Sequence, residues 1–173
     1  MKDKKVLFVF LAAIFLSVVA VQCFRPPAET GAVEIGQAAP QFILPDISGR
    51  EVALDQYKGK IVILDFWQTT CPPCRYTMPM LDQIQDEYSG KLSVLAINLQ
   101  EPKELVRNYI LEQNLHSRVL LDAEYSVGDR YGIYAVPMQF LIDQKGIVRY
   151  IMTGIDPAGR TPQIMREEIN KLL

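Results

Sequence analysis

The chain has few of the side chains that bind metals in proteins. Its 173 residues include one histidine, His116, and three cysteines, Cys23, Cys71 and Cys74. A tetrahedral zinc site takes four ligands, and no second pair of cysteines is present. Structural zinc is therefore disfavoured, and we predict no metal site. We place His116 in a surface loop between two predicted elements and assign it no role.

An excess of charge of one sign is also missing. Eighteen Lys and Arg residues face 20 Asp and Glu residues, for a formal net charge of −2. No dense basic cluster occurs beyond the first five residues, so a nucleic-acid partner has no electrostatic support. The length and the 49% of hydrophobic residues suit one well-buried core. We predict a single folded domain.

The first 24 residues resemble a signal for export. Three lysines in the first five residues precede an apolar stretch over residues 6–21. This pattern is typical of a signal peptide or a single membrane anchor, and we favour an anchor with its lysines in the cytoplasm. Cleavage after Ala20 is the main alternative; lipidation of Cys23 is disfavoured because Gln22 is not small. In each case the rest of the chain leaves the cytoplasm, for a compartment where disulfides are stable.

The remaining chain divides into a tether and a domain. Residues 25–39 contain Pro, Gly and Ala without a sustained period and predict a tether; the folded domain is expected over residues 40–173. Its strands are predicted at 42–44, 51–54, 61–66, 92–99, 119–121, 139–143 and 147–152, and its helices after Cys71 and at 102–114, 126–131 and 162–173. This order predicts an α/β fold: an N-terminal hairpin, then a mixed central sheet with helices on both faces.

The pair Cys71 and Cys74 lies where an apolar strand meets a helix. Thiols at this spacing can close into a small ring, so the pair can alternate between dithiol and disulfide. The helix start favours a thiolate, which makes Cys71 the predicted nucleophile and Cys74 the resolving thiol. Pro72 and Pro73 suit the first helical positions and stiffen the loop between the sulfurs. A purely structural disulfide is the other interpretation.

Several motifs along the chain carry a family resemblance. They are Gly36-Gln-Ala-Ala-Pro40-Gln-Phe42, Leu44-Pro-Asp46 with Gly49, Tyr57-Lys-Gly59-Lys60, Asp65-Phe66-Trp67, Cys71-Pro-Pro-Cys74-Arg75, Pro79 and Val136-Pro137. With them, residues 35–173 resemble the thioredoxin superfamily, and within it the membrane-tethered extracytoplasmic reductases of the TlpA/ResA type. The helix and strand between Leu99 and Leu121 resemble the central αβ insertion of that branch.

The resemblance also implies which residues face a substrate. It places Pro137 as a cis-proline beside the cysteines. A cis Val136-Pro137 bond removes a backbone N–H near the sulfurs and leaves the backbone of Val136 free to pair with an extended substrate segment. Pro72 and Pro73 belong to the same predicted surface. Trp67 is expected to shield the disulfide on one side, with simple core packing as the alternative.

Asp65 matches the buried acid of thioredoxin, six positions before the first cysteine, where many members of the branch carry asparagine. A carboxyl group inside an apolar strand is expected to have a raised pKa, which would let it exchange a proton with Cys74. Thr77 occupies a position where related cytochrome-maturation reductases often place glutamate. We therefore hypothesise that the acid–base role lies with Asp65. A strand-end aspartate in contact with water is the alternative.

The predicted function is that of an extracytoplasmic thiol-disulfide oxidoreductase, and we favour a reductase of protein disulfides that needs no cofactor. The resemblance implies disulfide-bearing protein substrates, with apocytochrome c as one substrate class, and a membrane thiol transporter that supplies electrons. Two alternatives stay open. A peroxiredoxin shares Ala39-Pro40-Gln41-Phe42 but has threonine or serine where this chain has Gln68. A copper(I)-binding module would use the two thiolates as soft ligands.

Overall fold

The computed structural model describes residues 32–173. The predictions of an anchor, of cleavage after Ala20 and of lipidation at Cys23 lie outside the described residues, as does the start of the predicted tether. Over residues 32–173, no helix has both the length and the apolar character needed to cross a membrane.

The predicted elements are all present, with ends that differ by at most three residues. In chain order they are β1 (Ile43–Pro45), β2 (Glu51–Ala53), a 3-10 helix (Leu54–Tyr57), β3 (Ile61–Trp67), α1 (Pro72–Glu87), β4 (Leu92–Leu99), α2 (Lys103–Glu112), β5 (Arg118–Asp122), α3 (Ser126–Arg130), β6 (Met138–Ile142), β7 (Val148–Thr153) and α4 (Thr161–Asn170). β1 and β2 form the predicted antiparallel hairpin. The α/β class is therefore confirmed.

The central sheet has five strands in the order β5-β4-β3-β6-β7, in which β3 pairs in parallel with β4 and antiparallel with β6. All seven residues of β3 are buried, as expected for a strand covered on both faces. Because side chains alternate along a strand, Leu64 and Phe66 pack on the side of α3 and the hairpin. Ile63, Asp65 and Trp67 share the opposite face, which α1, α2 and α4 cover. The predicted mixed sheet with helices on both faces is confirmed.

Packing of the domain begins before Pro40. The side chains of Val33 and Ala39 are buried in the core cluster below α3. The Gly36 N–H donates a hydrogen bond to the Val148 carbonyl at 2.8 Å, and Ala38 forms a β-bridge with Ile147. Residues 33–39, which we assigned to the tether from their composition, thus lie against the sheet because two of their apolar side chains are covered there.

A buried carboxylate ties the helix that follows the cysteines to the sheet. Asp82 on α1 accepts hydrogen bonds from the backbone N–H groups of His116 and Ser117, both at 2.9 Å, and from the Ser117 hydroxyl. The His116 ring lies 3.2 Å from Asp82 and from the exposed Asp86. His116 therefore belongs to the loop before β5, where we predicted it, and contacts the side of α1.

We expect Asp82→Ala to lower the free energy of unfolding by about 2–4 kcal/mol, because two backbone N–H groups and a hydroxyl lose a buried acceptor. Asp86→Ala is the matched control on the same helix. Among the residues that the structure describes, its exposed carboxylate contacts only the His116 ring, so the expected change is below about 0.5 kcal/mol. Urea unfolding measures both values. Equal losses for the two variants would contradict the assignment.

Candidate active site

Cys71 and Cys74 form a disulfide at the N-terminus of α1, with their Cα atoms 5.3 Å apart. Cys71 is the N-cap residue, and its Sγ accepts a hydrogen bond from the Cys74 N–H at 3.2 Å. Pro72 and Pro73 occupy the first two helical positions, where a missing N–H costs the helix no hydrogen bond. The strand β3 and the helix α1 thus position the two sulfurs as the spacing predicted.

The two sulfurs have different surroundings. Cys71 is 8% exposed, and its Sγ lies 3.5 Å from the Val136 carbonyl oxygen. Cys74 is 1% exposed and packs in an apolar cluster with Met78 and Val106. The outer sulfur is therefore the one closer to an incoming thiol or disulfide, whereas the inner sulfur is covered by the helix and the sheet.

The peptide bond between Val136 and Pro137 is cis, as the resemblance implied. It immediately precedes β6 and places the Val136 carbonyl against Cys71. A groove of about 200 Å³ begins beside it, and Tyr134 at its rim is 77% exposed. The groove is lined by Gln68, Leu99, Tyr125, Ile133, Tyr134, Ala135 and Val136. An extended chain beside Cys71 would thus meet both backbone and aromatic surface.

Asp65 is fully buried in the middle of β3. Its Oδ1 accepts a hydrogen bond from Nε2 of Gln139, at 2.7 Å. Burial raises the pKa of Asp65 to about 7, against the opposing effect of the Gln139 hydrogen bond. The alternative of an aspartate in contact with water is wrong, because both covered faces of the sheet keep solvent away from β3.

Asp65 and Cys74 share parts of the same environment. Asp65 borders a narrow cavity, with no room for a water molecule, whose other walls are Met78, Leu81, Asp82, Val94, Ala96 and Ser117. Met78 and Ala96 also belong to the apolar cluster that surrounds Cys74. The acid and the inner cysteine thus lie on one side of the sheet, beneath the first turns of α1.

Trp67 lies behind the disulfide in the core. It is fully buried, and its ring packs on that of Tyr109 with 5.3 Å between centroids. It shares the apolar cluster of both cysteines. We predicted Trp67 among the residues that face a substrate, but its complete burial leaves no surface for such a contact. Pro72 by contrast is exposed, and Pro73 is half-buried.

Sequence reasoning missed the residue that holds the loop before Cys71. Glu101, just after β4, accepts hydrogen bonds from the Thr69 N–H at 2.8 Å and the Thr69 hydroxyl at 2.6 Å. It also accepts one from Nδ2 of Asn98 at 2.6 Å. The Thr69 carbonyl accepts from Arg75 on α1. A carboxylate thirty residues beyond Cys71 carries no local signal; only the parallel pairing of β3 with β4 brings the two strand ends together.

Two other polar residues near the cysteines are Thr77, which we considered only as a position where related proteins carry glutamate, and Gln139. Thr77 is buried, and its hydroxyl donates to the Cys74 carbonyl at 3.2 Å within its own helix. Gln139 was overlooked, although one polar residue in the apolar run of β6 was a signal. Among residues 32–173, no group of three or more His, Cys, Asp or Glu side chains is placed to hold a metal ion.

Comparison with known proteins agrees with this geometry. The model of the AhpC/TSA family matches residues 35–151. The chain is 39% identical to the thiol-disulfide oxidoreductase ResA of Geobacillus thermodenitrificans over 127 residues, 73% of each chain. It is 34% identical to the thioredoxin-like protein YneN of Bacillus subtilis over 125 residues, which is 70% of this chain and 73% of that protein.

A solved structure shows the same architecture. The thiol:disulfide interchange protein of the thioredoxin family from Chlorobium tepidum superposes with a TM-score of 0.69 at 25% identity, over 82% of this chain and 99% of that one. The family match spans more than half of the chain, and the cysteine pair required for dithiol exchange is joined in a disulfide. The chain therefore belongs to the AhpC/TSA family and, within the thioredoxin superfamily, is a ResA-like thiol-disulfide oxidoreductase.

Proposed function

We propose that the protein reduces disulfides of other proteins outside the cytoplasm, with Cys71 as the attacking thiolate and Cys74 as the resolving thiol. The observation that carries this proposal is the asymmetry of the pair. Both cysteines pack in one apolar cluster, but Cys71 lies at the helix N-terminus beside the Val136 carbonyl and is 8% exposed, whereas Cys74 is 1% exposed. Such an arrangement suits an exposed first attack and a protected second one.

In the reduced protein, the N-terminus of the 16-residue helix α1 favours the thiolate form of Cys71. The backbone N–H of Cys74 already points at this sulfur. The thiolate attacks one sulfur of a substrate disulfide and forms a mixed disulfide with it. The substrate S–S bond breaks, and its second sulfur leaves as a thiolate that takes a proton from solvent.

In the second step, Cys74 loses its proton and attacks the Sγ of Cys71. The internal disulfide forms, the mixed disulfide breaks, and the substrate leaves with two electrons that came from the cysteine pair. Asp65 is the proposed acceptor of the Cys74 proton. Because the pKa of Asp65 is about 7, both of its protonation states are populated near neutral pH, so it can take up and return a proton.

The substrate surface consists of the Val136 backbone, Pro137 and the exposed side of Pro72. An extended substrate segment paired with Val136 would bring its disulfide to the Cys71 sulfur, 3.5 Å from the Val136 carbonyl.

The export pattern of the first 24 residues supports a location outside the cytoplasm, with that segment as an anchor. A reductase in an oxidising compartment needs a membrane thiol transporter to reduce it again. Apocytochrome c, with a CxxCH motif, is one candidate substrate.

A peroxiredoxin activity has less support. Gln68 holds the position where those enzymes have a hydroxyl side chain, and its Nε2 donates instead to the Leu99 carbonyl at 3.1 Å. The reduced protein is therefore expected to consume peroxide slowly compared with protein disulfides. Fast peroxide consumption would favour the peroxidase instead. Tight, stoichiometric binding of copper(I) to the reduced protein would favour the copper module.

We expect Cys74→Ser to accumulate mixed disulfides with protein substrates, because the serine cannot expel the bound partner from Cys71. Cys71→Ser is the matched control and should form few adducts, since the Cys74 sulfur is enclosed. Non-reducing gels and mass spectrometry of membranes from intact cells measure both and identify the partners. Equal trapping by the two variants would overturn the assignment of the attacking thiol.

Asp65→Asn should change how stability depends on pH in the oxidised protein. Below about pH 4 the carboxyl is protonated in both the folded and the unfolded states. As the pH rises from about 4 to 7, it ionises in the unfolded chain first, so burial of Asp65 progressively destabilises the wild-type fold. The loss levels off above pH 7 at up to about 4 kcal/mol.

The variant lacks this dependence, so its free energy of unfolding relative to wild type should rise between pH 4 and pH 8. Urea unfolding of both oxidised proteins at these two pH values measures the difference, in which unrelated titrations cancel. Curves that stay parallel across this range would show that Asp65 has an ordinary pKa.

A further inference from the structure

Gln139 lies directly opposite Asp65 in the antiparallel pairing of β3 and β6. Its neighbours along β6 are apolar, and Gln139 itself is buried. A polar amide in such a strand is costly unless it is hydrogen-bonded. One of its atoms is: Nε2 donates to Oδ1 of Asp65 at 2.7 Å. Gln139 is also two residues from Pro137, so it connects the buried acid to the cis-proline strand.

The second oxygen of the Asp65 carboxyl group and the oxygen of the Gln139 amide have no hydrogen-bond partner among the described residues. Within residues 32–173, Oδ2 of Asp65 and Oε1 of Gln139 are buried without a hydrogen-bond partner. When Asp65 is ionised, both atoms are acceptors, and neither can satisfy the other. A proton on Oδ2 converts that oxygen into a donor whose natural acceptor is Oε1 of the same amide. Neutral Asp65 and Gln139 can thus form a closed pair of two hydrogen bonds.

We propose that Gln139 is a positioning residue for the proton transfer between Asp65 and Cys74, because one amide can hold the carboxyl in both of its protonation states. Its N–H groups stabilise the carboxylate, and its carbonyl accepts from the neutral acid. This inference rests on the proposed function, in which Asp65 takes the Cys74 proton.

Among the described residues 32–173, the surroundings of Asp65 contain no cation that could replace the amide. The groups that line its cavity come from α1, β4 and the loop before β5, and none of them is a lysine or arginine. Asp82 on α1 is the other ionisable group that lines this cavity, and Cys71, Cys74 and Tyr109 lie in the apolar cluster that shares Met78 and Ala96 with it. Both carboxylate oxygens of Asp82 accept hydrogen bonds from the loop at 116–117. Gln139 is therefore the sole side-chain donor to Asp65 among the residues that the structure describes.

Asp65, held by Gln139, can store the Cys74 proton through a full catalytic cycle. When the mixed disulfide is resolved, the Cys74 thiol gives its proton to the Asp65 carboxylate, and the Cys74 thiolate attacks Sγ of Cys71. The internal disulfide then coexists with neutral Asp65, held by Gln139. When a donor dithiol reduces that disulfide at Cys71, Cys74 leaves as a thiolate and takes the proton back. The proton moves between two buried groups and needs no path to solvent.

Gln139→Met tests the proposal, because methionine has a similar length and neither donates nor accepts strongly. Both forms of Asp65 lose hydrogen bonds in this variant, but the carboxylate loses the stronger, charge-assisted one, and the Gln139 hydrogen bond lowers the pKa of Asp65. The pH profile of the resolving step should therefore move upward by about one unit. At pH 7 the step should slow by about fivefold to tenfold. Stopped-flow absorbance with an aromatic disulfide measures it, since the two aromatic thiolates are released in succession. Gln139→Leu should shift the pH profile in the same way, and it provides a second test if Gln139→Met does not fold.

The double variant separates positioning from a structural role. In an Asp65→Asn background, Gln139→Met should leave the pH profile unchanged, because the amide acts through the carboxyl. An Asp65→Asn profile identical to wild type would overturn the proposed relay itself. A changed Asp65→Asn profile with an unchanged Gln139→Met profile would overturn only the inference about Gln139.

Infrared spectroscopy of the oxidised protein at pH 5 supplies a readout that does not depend on activity. The carbonyl stretch of protonated Asp65 is assigned by its loss in Asp65→Asn. In Gln139→Met this band should move to higher frequency, because the acid loses its hydrogen bonds. An unchanged band would show that Gln139 does not hold the neutral acid, and it would overturn the inference.

Discussion

The complete burial of β3 is the constraint on which the rest of the site depends. Both faces of this strand are covered, and it pairs with β4 on one edge and β6 on the other. The strand ends at Trp67, and α1 begins at Pro72, so the outer sulfur lies where the core meets solvent. Each neighbouring strand then contributes one part: Glu101 follows β4 and holds the loop, and Val136 precedes β6 and places its carbonyl 3.5 Å from the Cys71 sulfur.

Buried carboxyl groups in this protein have two different kinds of surroundings. Burial alone would raise the pKa of Asp46, but hydrogen bonds from Ser48 and Arg50 outweigh it and lower the pKa to about 2. Asp65 receives one hydrogen bond from a neutral amide, so burial prevails and its pKa is about 7. The first carboxylate stays charged and stabilises a turn. The second can change its charge near neutral pH, which is what a proton acceptor needs.

Local sequence patterns predicted the helices and strands well, because the hydrophobic pattern within each segment already indicates its secondary structure. The apolar run at 92–99 became β4 without change, since a strand buried on both faces needs no alternation. Where the prediction differed, tertiary contacts decided. Residues 33–39 have the composition of a tether, yet Val33 and Ala39 are covered by the core. Trp67 was predicted to shield the disulfide at the substrate-facing side, with core packing as the alternative, and packing on Tyr109 buries it completely.

The order of residues along the chain determined the fold class and the cysteine pair, predicted the roles of the two cysteines as nucleophile and resolving thiol, and singled out Asp65. These features depend on spacings of a few residues, which helix and strand geometry convert directly into positions. Glu101 and Gln139 acquired their places only in the folded molecule. Glu101 meets Thr69 through parallel pairing across thirty-two residues, and Gln139 meets Asp65 through antiparallel pairing across seventy-four. Such contacts depend on the register of the strands, and the register is fixed only when the strands pair and bury their apolar side chains together in the core.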